Sequence, residues 1–329
     1  MLFFGGFTFI YFVILQVLVA ITHGNDSPTL CFKAYDVGSK SWKHLTCMNQ
    51  PQMKALRSWG KERSIYLTAE HIGNHLYVAV NDCIVYHYCI DQNLWEELPR
   101  LPCSINSLSA IGDYMYALGN CDEVPQRYSF SECRWQPIAK LSDCAKTEYR
   151  YPAGATVFDS KLYALFGCAQ RTAGNNMRGS NDFSMQKAML YCFDPSMNCW
   201  EFLSNTCEPH FESTLFVVND KLCVAGGYKS PREHRVYCVE PSSVEVYNAE
   251  AEYWSTVHQS HIPQNYFGAI EVEGRVYFII NNFPIDSGIR IPPGERYPVH
   301  LGDWGNLAEI ATNAVLCYLP VKRESLKTD

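Results

Sequence analysis

The chain has 329 residues and a formal net charge of -7 at pH 7. A nucleic-acid-binding domain needs a basic surface that compensates phosphate charge, so this balance argues against that class. The 15 cysteines include no CxxC pair and show no regular spacing, which makes a disulfide framework unfavourable. Free cysteines in a reducing compartment are the favoured interpretation, and structural disulfides are the alternative.

The first 29 residues are predicted to contain a short strand followed by an apolar segment. Residues 1–6 (MLFFGG) align with residues 222–227 (LCVAGG), which predicts a strand that begins the first repeat. Residues 7–29 then fall where a loop should follow, and we predict an apolar insertion there. About 20 apolar residues can also span a bilayer, so a signal or membrane segment at residues 7–22 is the alternative. A signal peptide has a Lys or Arg before its apolar core, and this sequence has neither there. Cytoplasmic localisation is therefore preferred.

Five short hairpins follow along the chain, each with a two-residue turn between apolar strands. Turn residues that accept positive φ, flanked by β-rich apolar runs, predict such hairpins. The five turns are Gly73-Asn74, Gly112-Asp113, Asp159-Ser160, Asn219-Asp220 and Glu273-Gly274.

A second hairpin in each repeat is marked by an aromatic residue seven positions before a tryptophan. The six pairs are Tyr35/Trp42, Tyr88/Trp95, Tyr128/Trp135, Phe193/Trp200, Tyr247/Trp254 and Tyr297/Trp304. Each repeat therefore contains two hairpins, or four strands. A four-stranded sheet that recurs at this period is typical of a propeller blade.

The last predicted strand, at residues 313–319, follows the sixth tryptophan and has no hairpin partner of its own. If it pairs with the first blade, it closes the ring and leaves no open edge. We therefore predict an all-β, six-bladed propeller with four antiparallel strands in each blade. Its parts are residues 1–6 and 30–320, and residues 321–329 form a tail.

These repeats resemble the kelch repeat, in which a di-glycine after an apolar strand precedes the aromatic residue and the tryptophan. Gly5-Gly6 and Gly226-Gly227 keep both glycines, whereas the other four units keep one or none. Six such units, over nearly the whole chain, resemble the propeller of the kelch-like (BTB–kelch) proteins.

The resemblance implies a protein-binding propeller that recognises substrates for a cullin-3 RING ubiquitin ligase. The BTB and helical linker regions of such adaptors would precede the propeller, and neither is found in these 329 residues. We therefore expect target binding but no cullin recruitment by this sequence alone. A cytoskeletal, actin-type kelch scaffold and a secreted or membrane-tethered propeller are the alternatives.

The sequence predicts neither catalysis nor a cofactor. It contains no GxSxG, P-loop or GxGxxG motif. His71 and His75 have i,i+4 spacing, but they flank a turn rather than sharing a helix face, so we predict no metal site there. Asp36 and Asp194 follow the aromatic residue of their repeats and are interpreted as turn-forming residues.

Loop lengths predict where a partner binds. The turns that join first to second strands all have two residues, whereas the gaps between the di-glycine position and the aromatic residue vary from 6 to 28 residues. Variable loops on a rigid scaffold are where recognition is usually placed.

Two of these variable loops, 168–189 and 228–236, are basic, as is the connection 46–67. This charge predicts an acidic protein segment as the partner. The alternative is that exposed loops simply hold the charges that strands exclude. The acidic connection 204–212 favours that alternative. Arginine suits carboxylates because its planar fork donates two parallel hydrogen bonds. The predicted contacts are Arg171, Arg178, Tyr228, Lys229, Arg232 and Arg235.

Overall fold

The computed structural model describes residues 14–23, 30–36, 41–47, 67–80, 83–89, 91–92, 94–120, 123–141, 148–171, 183–210, 213–218, 220–225, 242–262, 266–272, 275–280, 305–306 and 314–322. Over these residues the structure has 23 strands in six sheets, which we call blades I to VI. The predicted all-β propeller class is confirmed. Within the same ranges, no helix has the length and apolar character that a membrane crossing requires.

The strands follow the chain in order. Blade I contains β1 (Ile14–His23), β2 (Leu30–Asp36) and β3 (Ser41–Cys47). Blade II contains β4 (Leu67–Ile72), β5 (His75–Val80), β6 (Ile84–Cys89) and β7 (Leu94–Glu97). Blade III contains β8 (Ser107–Ile111), β9 (Tyr114–Leu118), β10 (Gln126–Ser129) and β11 (Arg134–Pro137).

The second half of the chain continues this pattern. Blade IV contains β12 (Glu148–Phe158), β13 (Lys161–Arg171), β14 (Phe183–Asp194) and β15 (Cys199–Asn205). Blade V contains β16 (Thr214–Val218), β17 (Lys221–Ala225), β18 (Ser242–Asn248) and β19 (Tyr253–Ile262). Blade VI contains β20 (Tyr266–Val272), β21 (Arg275–Ile280) and β22 (Gly305–Asn306), and β23 (Ala314–Lys322) joins blade I. Blades II to V are antiparallel meanders of four strands each.

Four of the five predicted two-residue turns contain residues with positive φ, and the fifth, Glu273-Gly274, lies outside the described residues. Gly73, Gly112 and Asp220 adopt φ values of 57°, 56° and 56°. Asp159 and Ser160 adopt 47° and 57°, which is the pair of positive values that a type I′ turn requires. The strands that flank these turns pair antiparallel, and β20 pairs with β21 in the same way.

Each aromatic residue that precedes a tryptophan by seven positions lies directly opposite it in the strand ladder. This register holds for Tyr35/Trp42, Tyr88/Trp95, Tyr128/Trp135, Phe193/Trp200 and Tyr247/Trp254. In blades II to V the ring centroids lie between 4.6 and 5.3 Å apart, within the range in which aromatic pairs attract. The sixth pair, Tyr297/Trp304, lies outside the described residues.

The hydrophobic core lies in the seams between neighbouring blades. Val85 of blade II packs with Met115 and Ala117 of blade III, and all three are fully buried. Equivalent clusters join blade III to IV and blade IV to V, and Cys103 and Cys192 enter these seams as free thiols. Because blades III and IV each pack on both neighbours, the ends of their strands are held at fixed positions on the two faces.

The innermost strands contact one another in a cycle. β4 contacts β8, β8 contacts β12, β12 contacts β16, and β16 contacts β20. β20 contacts β23, which in turn contacts β4. The strand that follows the last repeat thus lies between the last blade and blade II.

Blade I differs from the sequence prediction in its first strand. Residues 14–23, predicted as part of an apolar insertion at 7–29, form β1, in which Ile21 lies opposite Phe32 of β2 and Val315 of β23. Residues 14–23 are a mostly apolar run without the polar–apolar alternation that identifies a half-buried strand, which is why the sequence pattern predicts an insertion there. The predicted strand at residues 1–6 lies outside the described residues, so that part of the domain division stays a prediction.

The C-terminal strand supplies the inner edge of blade I. The sequence predicts this role for residues 313–319, and β23 pairs antiparallel with β1 over Ala314–Lys322. The strand therefore runs two residues past the predicted propeller boundary at residue 320.

Blade VI is the least regular sheet among the described residues. Its strand β22 has two residues and pairs with β21 in parallel, where the repeat pattern predicts an antiparallel ladder. The intervening sequence, 281–304, contains four prolines, which have no N–H to donate to a ladder. A regular third strand is therefore less favourable in this repeat than in the others.

Candidate protein-binding face

The meander gives the propeller two different faces. The turns between first and second strands and between third and fourth strands lie on one, which we call the turn face. The connections between second and third strands and between blades lie on the other, the loop-rich face. On the loop-rich face, β9 is joined to β10 by residues 119–125, whereas residues 172–182 join β13 to β14 and residues 226–241 join β17 to β18. The long connections thus leave two adjacent blades on the same face.

The predicted contact residues lie in or directly beside these two long connections. Both ends of the predicted loop 168–189 belong to strands, residues 168–171 to β13 and residues 183–189 to β14. Arg171 is the last residue of β13 and lies opposite Phe183, where the connection 172–182 begins. The other five predicted residues lie outside the described residues: Arg178, Tyr228, Lys229, Arg232 and Arg235. Most of the basic connection 46–67 is also outside them. These contacts therefore stay a prediction. The structure gives only the strands that flank their loops, β13 and β14 for the first and β17 and β18 for the second.

A polar network fixes the loop of blade III on the same face. The carboxylate of Glu123 accepts hydrogen bonds from the Ser104 hydroxyl (2.5 Å) and from the Asn120 amide (3.2 Å). Asn106 donates through its backbone to Leu118 and through its side chain to Asn120. A Cβ at Gly119, which occupies a di-glycine position, would overlap the Ser104 carbonyl and the Glu123 carboxylate. Glycine is needed there because the two chain segments approach so closely.

A buried, hydrogen-bonded Glu–His pair supports the loop-rich face at blade V. Glu245 of β18 is 0% exposed, and its Oε1 lies 3.0 Å from Nε2 of His210, which is 1% exposed. The same carboxylate accepts hydrogen bonds from the backbone N–H groups of Cys207 (2.6 Å) and Glu208 (2.9 Å). Burial alone would raise the pKa of Glu245, but the bonds from His210 and the two amides outweigh it and lower the pKa.

The connections between blades are also fastened by side-chain hydrogen bonds. The indole of Trp135 donates to the Pro99 carbonyl (2.7 Å), and the indole of Trp200 donates to the Ala139 carbonyl (2.8 Å). Each tryptophan thereby holds the connection that enters its own blade. The fully buried Thr206 hydroxyl lies 2.6 Å from the Glu208 carbonyl, to which it donates. In blades III and IV the tryptophan thus has a structural role beyond filling the seam.

On the turn face, Asp194 caps the turn between β14 and β15, as the sequence predicts. Its Oδ1 accepts hydrogen bonds from the Ser196 backbone N–H (2.8 Å) and hydroxyl (2.6 Å), which lower the pKa of Asp194 to about 2. Asn248 does the same in blade V, where it accepts from Glu250 and Ala251. These short caps keep the turn face compact. The side chain of Asp36 lies outside the described residues.

The two histidines with i,i+4 spacing are separated by the structure. Nδ1 of His71 lies 3.6 Å from Glu70, whereas Nδ1 of His75 lies 2.8 Å from Nε2 of His87 on the neighbouring strand. Burial lowers the pKa of His87, and the nearby His75 lowers it further. Among the described residues, no group of three or more His, Cys, Asp or Glu side chains has an arrangement that could hold a metal ion.

Sequence reasoning missed the residues that fix these loops. Glu245 and His210 are 35 residues apart, and Ser104 and Glu123 are 19 apart, so no local pattern joins them. The one local signal was a glutamate within the apolar strand β18, where an unpaired charge would be costly to bury.

Comparison with known proteins gives a partial match. No protein-family model matches the chain. Kelch-like protein 26 of Danio rerio is 24% identical over 127 residues, which are 38% of this chain and 20% of that protein. The match thus spans about a fifth of the relative's length. The solved structure of YjhT is similar at a TM-score of 0.43 and 14% identity, over 60% of this chain and 66% of that one.

Proposed function

We propose that this chain, a kelch-repeat β-propeller, binds an acidic segment of another protein on its loop-rich face. The observation that carries the proposal is the placement of two long connections that hold cationic side chains. Arg171 and Arg178 lie at the start of and within the first, and Lys229, Arg232 and Arg235 lie in the second. Residues 172–182 and 226–241 leave blades IV and V between the same two strand positions, and β12 of blade IV contacts β16 of blade V. Cations on both loops would then act together on one ligand.

The proposed architecture is a closed, six-bladed ring. Two observations support it: the cyclic contacts among the inner strands and the pairing of β23 with β1. A closed ring leaves no unpaired edge between the first and last blades, so strand pairing with other chains is avoided. The ring also holds the loops of all blades at fixed separations.

The proposed role is substrate recognition for a cullin-3 RING ubiquitin ligase. Its support is the resemblance of the repeats to those of kelch-like proteins and the similarity to Kelch-like protein 26. Contact with the cullin would come from a BTB region, as the resemblance to kelch-like adaptors implies. The proposal therefore assigns target binding, without catalysis or a cofactor, to these residues. It also places the protein in the cytoplasm, with membrane association through residues 7–22 as the alternative.

The test is charge reversal at the rim. In the variant Arg232→Glu/Arg235→Glu, binding of a labelled, glutamate-rich peptide from a peptide library should weaken, and the remaining binding should depend less on salt. The peptide with glutamines in place of glutamates should bind neither protein. If binding is unchanged in a variant that melts at the same temperature, the peptide binds elsewhere, for example at the connection 46–67, or the proposal of an acidic partner is wrong. Co-sedimentation with actin filaments would instead favour the cytoskeletal alternative.

The matched control is Arg134→Glu/Lys221→Glu. Both residues are exposed and lie next to turns on the turn face, and the variant has the same change in net charge. Peptide binding should be retained in this control. Equal loss in both variants would mean that overall charge, rather than the loop-rich face, governs binding.

A further inference from the structure

Two histidines of blade II face each other across adjacent strands near the turn face. Nδ1 of His75 lies 2.8 Å from Nε2 of His87, with the ring centroids 4.9 Å apart. In the ladder His75 is opposite Cys89, so His87 is its diagonal neighbour on the same side of the sheet. Long side chains at such diagonal positions reach one another. The two imidazoles thus converge through one nitrogen each.

The surroundings hold both rings in this orientation. The second ring nitrogen of His87, Nδ1, lies 3.5 Å from the carboxylate of Glu96, and its ring stacks on Tyr77 with an interplanar angle of 16°. The turn before His75 is tied to the turn after β6 by a hydrogen bond of 2.9 Å from Asn74 to Asp91. When a carboxylate accepts a hydrogen bond from Nδ1–H, the neutral ring carries its lone pair on Nε2.

From this geometry we propose that His75 and His87 bind a divalent transition-metal ion, such as Zn²⁺ or Cu²⁺. The ion takes the place of the proton that the two nitrogens share in its absence. Two imidazole ligands at about 2.0–2.1 Å in a tetrahedral arrangement are roughly 3.3 Å apart, so the rings need to separate by about half an ångström. Imidazole suits zinc and copper better than it suits calcium or magnesium.

The remaining coordination positions would be filled by water. The His87 side chain is 16% exposed and the Glu96 side chain is 61% exposed, so solvent and small ions reach this edge of the blade. Since no third protein ligand converges on the pair among the described residues, the site is an exchangeable one rather than a closed structural centre. Glu96 is a positioning residue that acts through His87.

The probe for this site is Co²⁺, whose absorption spectrum distinguishes nitrogen and water ligands from thiolates. The exposed thiols of Cys133 and Cys199 are first alkylated, because they would otherwise compete for the ion. We expect Co²⁺ to bind the alkylated protein with a spectrum free of thiolate charge-transfer bands. His75→Gln and His87→Gln should abolish this binding, and Glu96→Gln should weaken it by about tenfold. His71→Gln, on the same hairpin, is the control and should bind like the unsubstituted protein.

A measurement on the unsubstituted protein covers the case in which a variant fails to fold. Of the ten histidines, two should show the first paramagnetic shifts of their ring protons as Co²⁺ is added. Retained Co²⁺ affinity in folded His75→Gln and His87→Gln would overturn the proposal. So would paramagnetic shifts at other histidines, or a thiolate spectrum that survives alkylation.

Discussion

At the scale of single residues, the turns between third and fourth strands require the same backbone conformation at one position, but the blades fill that position with different residues. The residue two positions before the tryptophan is left-handed in three blades: φ is 52° at Cys133, 48° at Asn198 and 54° at Glu252. Asparagine tolerates this conformation, whereas cysteine and glutamate are strained in it. Asn198 also accepts a hydrogen bond from the Ala139 amide of the neighbouring connection (3.0 Å). The repeat is therefore not optimised equally in every blade.

Replacing Glu252 should raise stability. Glu252→Asn relieves the left-handed strain, and we expect the free energy of unfolding to increase by about 0.5–1 kcal/mol. Urea denaturation measures this change, and Glu250→Asn, in the same turn, serves as the control without that gain. A loss of stability in Glu252→Asn would show that the Glu252 side chain makes a contribution larger than the backbone strain.

The Glu245–His210 pair should make stability depend on pH. The lowered pKa of Glu245 means that its contribution is present above the ordinary glutamate range and is lost as pH falls through the lowered value. At pH 7, Glu245→Gln should cost about 3 kcal/mol, because it breaks a fully buried pair and brings an amide N–H₂ against two backbone donors. The difference from the unsubstituted protein should shrink below about pH 4.

Denaturant midpoints across pH 3 to 8 check this expectation. Glu250→Gln, at an exposed position in the same blade, should follow the unsubstituted protein throughout. A difference for Glu245→Gln that stays constant across this range would contradict an ionised carboxylate in the folded state.

At the scale of elements, the sequence predicts what is decided locally. Turn residues that accept positive φ and the seven-residue interval before each tryptophan fix the hairpins, because both features act within a few residues. The strand β1 differs from the prediction because residues 14–23 are a mostly apolar run that lacks the alternation by which a strand is identified. The C-terminal strand was predictable since it had no local partner and had to pair elsewhere.

In the candidate site, too, some features could be predicted from the sequence and others could not. Loop charge and loop length are properties of sequence, so the basic connections could be proposed before the structure was known. The groups that hold the face in place are pairs such as Ser104–Glu123 and Glu245–His210. These pairs meet only once the blades are assembled, and no spacing rule connects them. The same holds for His75 and His87, which belong to different strands.

At the scale of the whole molecule, the C-terminal strand should be needed for folding. Deletion of residues 312–329 removes β23 and exposes the edge of β1, so we expect aggregation and loss of a cooperative melting transition. Deletion of residues 323–329, which follow Lys322, should leave the transition unchanged. Calorimetry distinguishes these outcomes. A soluble, cooperatively melting product from the longer deletion would contradict ring closure through β23.

The most direct test of the account is a hydrogen-exchange footprint of the chain with a bound glutamate-rich peptide. The account predicts slower amide exchange in residues 172–182 and 226–241, on the loop-rich face of blades IV and V. Exchange should stay unchanged at the turns 112–113 and 159–160 on the opposite face. Protection at those turns, with none in residues 172–182 and 226–241, would contradict the proposed binding face.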